Sequence, residues 1–166
     1  MKKLILFLAL FVSFSIAADA QKSPRKQAEG EVLGTKIEID YGAPSVRGRT
    51  IWGGLEAYNV VWRAGANENT TVAFDKEVTI GGKKLAAGKY GFFIIPKKEG
   101  DWTVIFSTKN AEWGAYSYKE KNDALRLDVS PNWSKESQEQ LSYIVEGNDI
   151  VFAWEKVTLK LPISAN

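Results

Sequence analysis

The stretch GGKKLAAGKYGFFIIP, residues 81–96, decides the fold class. Gly81-Gly82 supplies the positive-φ positions that a tight hairpin needs. Gly88 turns the chain into a second strand, and Phe92 to Ile95 are apolar on both faces of it. A strand without a polar face must be covered on both sides, so this one is central in its sheet. Outward from it, the same period-2 chemistry recurs. In TKIEIDY, Ile37, Ile39 and Tyr41 face one way, with Lys36, Glu38 and Asp40 opposite. TTVAF, EVTI, WTVIF, ALRLDV, LSYIVEG, IVFAW and VTLKLP read as further short strands, separated by turn residues such as Gly147-Asn148-Asp149. The expected fold is all-β: an antiparallel β-sandwich or jelly-roll-like barrel with one long ordered loop. The best helical candidate is SKESQEQ, residues 134–140, with a weaker one from Trp52 to Tyr58.

The N-terminus carries its own instruction. Lys2 and Lys3 precede the apolar run LILFLALFVSFSIA, and Ala18-Asp19-Ala20 is a small-x-small pattern. That is the form of a secretory signal peptide, with cleavage expected after Ala20. The run falls short of the roughly 20 residues that span a bilayer, so no membrane span is expected after cleavage. The expected organisation is a signal peptide over residues 1–20, a polar leader over 21–30, and a single β domain over 31–166. The expected location is periplasmic or secreted.

Composition excludes several chemistries. Formal net charge is only +2, which does not suggest a nucleic-acid partner. The chain has no Cys, so packing rather than disulfides must hold the fold. It has no His, so Ser–His and Cys–His nucleophile pairs and the usual zinc sites are ruled out. No cofactor and no metal are expected. Acid–base chemistry would fall to Asp, Glu, Lys or Tyr.

The longest region without alternation runs from Gly42 to Asn69. Loops of that length inside a compact domain are uncommon and often functional. This one concentrates Arg47, Arg49, Trp52, Glu56, Trp62, Arg63, Asn67 and Glu68. Arg offers a rigid donor fork suited to carboxylate or phosphate. Arg47 and Arg49 would project from one side if their segment were extended. In VVWRAGANENTTVAF, residues 60–74, alternation puts Val60 and Trp62 toward the core and Arg63 on the other face. Gly65 then bends the chain, which would bring Arg63 and Glu68 together. Two readings stand side by side. In one, Arg47, Arg49, Trp52, Arg63, Asn67 and Glu68 line a pocket for a small anionic or carbohydrate-like ligand. In the other, the Arg residues pair with Glu56 and Glu68 to hold the loop down. Trp102 and Trp154 alternate with apolar strand residues and belong to the core, whereas Trp113 and Trp133 are surface candidates for ligand contact.

YGAPSVRGRTIWGGL, VWRAGANENTTVAF, VTIGGKKLAAGKYGFFIIP, WTVIF and WGAYSY together resemble the DUF2911 family of secreted bacterial proteins of unknown function. The likeness is close over residues 36–129 and looser beyond. It implies an envelope location and an all-β domain, and it implies no reaction. The family pattern often carries Arg before Pro-Ser, where this chain has Ala43; if that Arg touches ligand elsewhere in the family, one contact is lost here. Three function classes follow: a ligand-binding or accessory module, a structural or protein-interaction module of the envelope, and a His-free, Cys-free hydrolase working through Glu68.

Overall fold

The structure, a computed structural model, describes residues 22–164. The expected signal peptide and its cleavage site lie outside them. Ten strands form two antiparallel sheets: β1 (Arg25–Val32), β2 (Thr35–Gly42), β3 (Thr70–Phe74), β4 (Val78–Ile80), β5 (Lys83–Leu85), β6 (Gly88–Ile95), β7 (Trp102–Ser107), β8 (Asp123–Val129), β9 (Asn132–Glu146) and β10 (Asp149–Ser164). The larger sheet runs in the order β1-β2-β3-β6-β7-β8, the smaller β5-β4-β10-β9. The sheets do not close on each other, so the sandwich reading holds and the barrel does not. No α-helix occurs among the described residues, and none of their helices is long and apolar enough to cross a membrane.

Alternation explains how the sheets meet. Ile37, Ile39, Val72, Phe74, Phe92 and Ile94 leave the larger sheet on one face and pack against Leu141, Tyr143, Phe152, Trp154, Leu159 and Leu161 of the smaller. β6 lies between β3 and β7, and Phe93 on its other face is buried against Tyr118, 5.4 Å between rings. This is the doubly covered strand that its composition predicts. The β4–β5 hairpin turns at Gly81 and Gly82, with φ of 56° and 77°.

Three local expectations are corrected. The polar leader ends sooner than expected, because residues 25–32 form edge strand β1. Ala28, Gly30 and Val32 turn inward, while Gln27, Glu29 and Glu31 stay outside. Gly30 has no side chain because Val145 of β9 would lie 2.4 Å from its Cβ. SKESQEQ is not helical; it is the exposed first half of β9. Gln138 there pairs with Glu155 of β10, and the 43–46 segment pairs on the other edge, through Val46 N–H to Glu139 O at 2.8 Å and Leu141 N–H to Pro44 O at 2.9 Å. Pairing on both edges overrides the composition of a polar segment. Finally, IVFAW and VTLKLP are one strand, β10, whose alternation slips by one residue at Glu155–Lys156.

Candidate functional site

The segment VVWRAGANENTTVAF is a strand line interrupted by an excursion. Trp62 pairs with Ile94 and Thr70 with Phe92, so β6 advances from 92 to 94 while the facing chain covers 62 to 70. The surplus residues leave the sheet and the middle ones are buried: Ala64 is 0% exposed and Ala66 8%. Their backbone groups are closely accounted for. Ala64 O accepts from Tyr143 Oη at 2.7 Å and from Thr70 Oγ1 at 3.0 Å. Gly65 O accepts from Trp62 Nε1 at 3.1 Å, and Ala66 N–H donates to Gly42 O at 3.2 Å. Asn67 sits at φ 65°, its Nδ2 donating to Ser23 O at 3.3 Å and its carbonyl accepting from Gly114 N–H at 3.0 Å. Asn69 exchanges bonds of 3.0 Å with Glu112. Most of the polarity in the stretch therefore ties a buried turn to the ends of other strands. Val60, expected in the core, is 55% exposed, because Asn59 has φ 62° and joins the far end of β6 through Pro96 O instead of extending the strand.

The predicted site residues separate into three places. Glu68 faces a concavity of about 400 Å³ shared with Arg25, Asp40, Lys89 and Trp113. Its carboxylate lies 3.9 Å from Arg25, which also bonds Asp40 at 2.5 Å. No ion pair joins Glu68 to Arg63 among the described residues. Glu68 is more than half exposed, so Glu68→Ala should lower stability by no more than about 1 kcal/mol in urea unfolding. A loss of about 3 kcal/mol would mean that the pair with Arg25 is structural.

The charge of Arg63 acts on Glu56 instead, with no ion pair between the two among the described residues. Burial pushes the Glu56 carboxyl up to about 7, against the opposing charges of Arg63 and Arg49. Arg63 Nε is buried without an acceptor, as are Trp52 Nε1 and Trp154 Nε1.

Arg49 and Trp52 line a second cleft, about 360 Å³, with Tyr58, Trp133, Glu155 and Lys156. Arg47 and Arg49 do not project together from an extended segment. Arg47 has φ 50° and Gly48 φ 66°, and Arg49 N–H returns to Val46 O at 3.0 Å. The turn lets Arg49 anchor itself, Nε to Val46 O at 3.1 Å and Nη2 to Ser45 O at 2.6 Å. Arg47 N–H donates to Glu139 Oε1 at 3.0 Å. Trp52 is 7% exposed and meets Trp102, Trp62 and Trp154 edge-on at 4.7, 5.7 and 5.6 Å. Trp133 stands over this floor, 49% exposed, its ring 6.2 Å from Trp102.

Glu155 and Lys156 escaped the sequence reading. Neighbours on a strand point to opposite faces, yet both line this cleft. Glu155 has φ 52°, and the pairing of β10 with β9 is irregular on both sides of it. Positive φ at a residue with a Cβ costs free energy and collects at functional positions. The available signal was the polar pair between FAW and VTLKL, which breaks the alternation.

No curated protein and no solved structure matches the chain. The DUF2911 family model, described as a protein of unknown function, matches residues 23–163. Spanning both sheets and every residue of the two clefts, that match makes this chain a member of the DUF2911 family.

Proposed function

We propose that the protein is an extracytoplasmic ligand-binding module, and that the cleft under Trp133 takes a small carbohydrate-like ligand carrying a carboxylate. The observation that carries the reading is the slip at Glu155–Lys156, which brings both side chains into a cleft floored by Trp52 and walled by Arg49. The chemistry fits such a ligand. Arg49 is held by backbone carbonyls, and Lys156 adds a second cation. A carboxylate between them gains charge-assisted hydrogen bonds. Trp133 and Tyr58 offer flat apolar faces to the C–H side of a pyranose ring, and Glu155 offers an acceptor to its hydroxyls. The N-terminal run of residues 4–17 supports a location outside the cytoplasm.

The test is a fluorescence titration of the mature chain with oligosaccharides of uronic acids and their neutral counterparts. The acidic series should bind and the neutral series should bind more weakly. Trp133→Ala and Arg49→Ala should each weaken binding at least about tenfold, the loss of one stacked ring or one charged contact. Trp133→Ala should leave the melting temperature within a few degrees of the parent. Equal binding of both series, or no effect of either substitution, would overturn the reading.

A further inference from the structure

The outer face of the larger sheet holds a second feature, separate from the Trp133 cleft. Three concavities there share walls. The first, beside Asp75 and Gly88, shares Glu38 and Ala73 with the second; the second shares Asp40, Thr71 and Lys89 with the third, which ends at Trp113. Together they make one groove along β2 and β3.

Its shape follows from register. Outward residues fall on common rungs: Glu29 faces Glu38, Glu38 faces Ala73, and Ala73 faces Lys89. On the next rung Gln27 faces Asp40, and Asp40 faces Thr71. The middle strand thus contributes only small side chains, which form the floor. The far wall is the 109–113 segment, laid over β6. Lys109 O would lie 2.2 Å from a Cβ at Gly91, Asn110 Nδ2 donates to Lys89 O at 2.7 Å, and Glu112 N–H donates to Asn69 Oδ1 at 3.0 Å. Trp113 closes the end, 58% exposed.

The charges in the groove are not mutually satisfied. Glu29 and Glu38 are direct cross-strand partners, an arrangement that destabilises a sheet. Neither carboxylate makes an ion pair or hydrogen bond with a described residue, and neither does the Lys89 ammonium. The Arg25 guanidinium is committed to Asp40 and to the carbonyls of Glu68 and Asn69. Both neighbours of β3 are already paired, so the floor of the groove offers a peptide no open backbone edge. It offers side-chain donors and acceptors, a flat indole face and an uncompensated pair of carboxylates.

From this we infer that the groove binds a linear amino-sugar chain, with a ring stacked on Trp113 and a free amine between Glu29 and Glu38. The site is independent of the Trp133 cleft. The probe is the four-unit oligomer of glucosamine, compared with its N-acetylated form and with tetralysine, followed by amide chemical-shift titration. The glucosamine oligomer should perturb Thr71, Ala73, Lys89 and Trp113, and the N-acetylated form should bind more weakly. Glu38→Gln should weaken binding about fivefold and Trp113→Ala about tenfold. Trp133→Ala should leave it unchanged, which separates this outcome from that of the cleft. Without ligand, Glu38→Gln should raise the melting temperature by about 1–3 °C, because it relieves the like-charge pair. The inference is overturned by perturbations elsewhere or none at all. It is equally overturned if tetralysine binds as well as the sugar with Trp113→Ala silent, or if Glu38→Gln lowers the melting temperature.

Discussion

Gly42→Ala is expected to cost about 3 kcal/mol or more, read as the shift of the urea midpoint. A Cβ at residue 42 would lie 2.0 Å from Ala66 O and 2.8 Å from its carbonyl carbon. The obstacle is backbone, and it cannot swing aside as a long side chain would. Ala66 is pinned to Gly42 O through its own N–H, and neighbouring Gly65 would place a Cβ 2.9 Å from that same oxygen. Relief therefore requires the whole 63–69 excursion to lift away from the end of β2. Lifting it strips Ala64 O of its two donors, Tyr143 Oη and Thr70 Oγ1. It also breaks the bond from Trp62 Nε1 to Gly65 O and disturbs the ring stacked on Trp154 at 5.6 Å. Near-ultraviolet circular dichroism should accordingly lose tryptophan signal along with stability. A midpoint shift worth less than about 1 kcal/mol would mean that the excursion is not seated on β2 as described.

Glu56→Gln is expected to stabilise the protein at pH 8 and to flatten its stability between pH 4.5 and 7. Burial raises the folded carboxyl from 4.5 to about 7, with Arg63 and Arg49 pulling the other way. For a carboxyl raised in the fold, the protonated form is the one that folding favours. Its contribution is complete below the unfolded value of about 4.5 and is lost as pH climbs through about 7. A shift of that size corresponds to at most about 3 kcal/mol, less where solvent reaches the group. Gln keeps the shape and cannot ionise, so it should remove the loss at high pH and change little at pH 4.5. Urea midpoints of both proteins across pH 4–9 check this. If Glu56→Gln instead destabilised the protein at pH 8, the carboxylate would be ionised and paired, and its removal would strand Arg63.

The class of fold was legible because its signal is local. Period-2 alternation in TKIEIDY, the Gly81-Gly82 turn and the two-faced apolar run at Phe92–Ile95 each depend on neighbouring residues alone, and each stands in the structure as read. The exposure of Trp113 and Trp133 was legible for the same reason, since neither continues an apolar alternation. Strand β1 and the first half of β9 were not legible. Their residues are polar on most faces, and what makes them strands is a partner far along the chain: β2 for one, β10 and the 43–46 segment for the other.

The candidate site divides along the same line. The sequence by itself placed the unusual chemistry between residues 42 and 69, and Arg49 and Trp52 do line a cleft. Only the tertiary structure separated them from Glu68, brought the charge of Arg63 to bear on Glu56, and used Asn67 to fasten a buried turn. Only it brought Trp133, Glu155 and Lys156 to face Arg49 across more than eighty positions of chain. Nearness along a chain says which residues share a turn. Which residues share a cleft is set by long-range register, and a slip of one residue, as at Glu155, exchanges the faces of a strand.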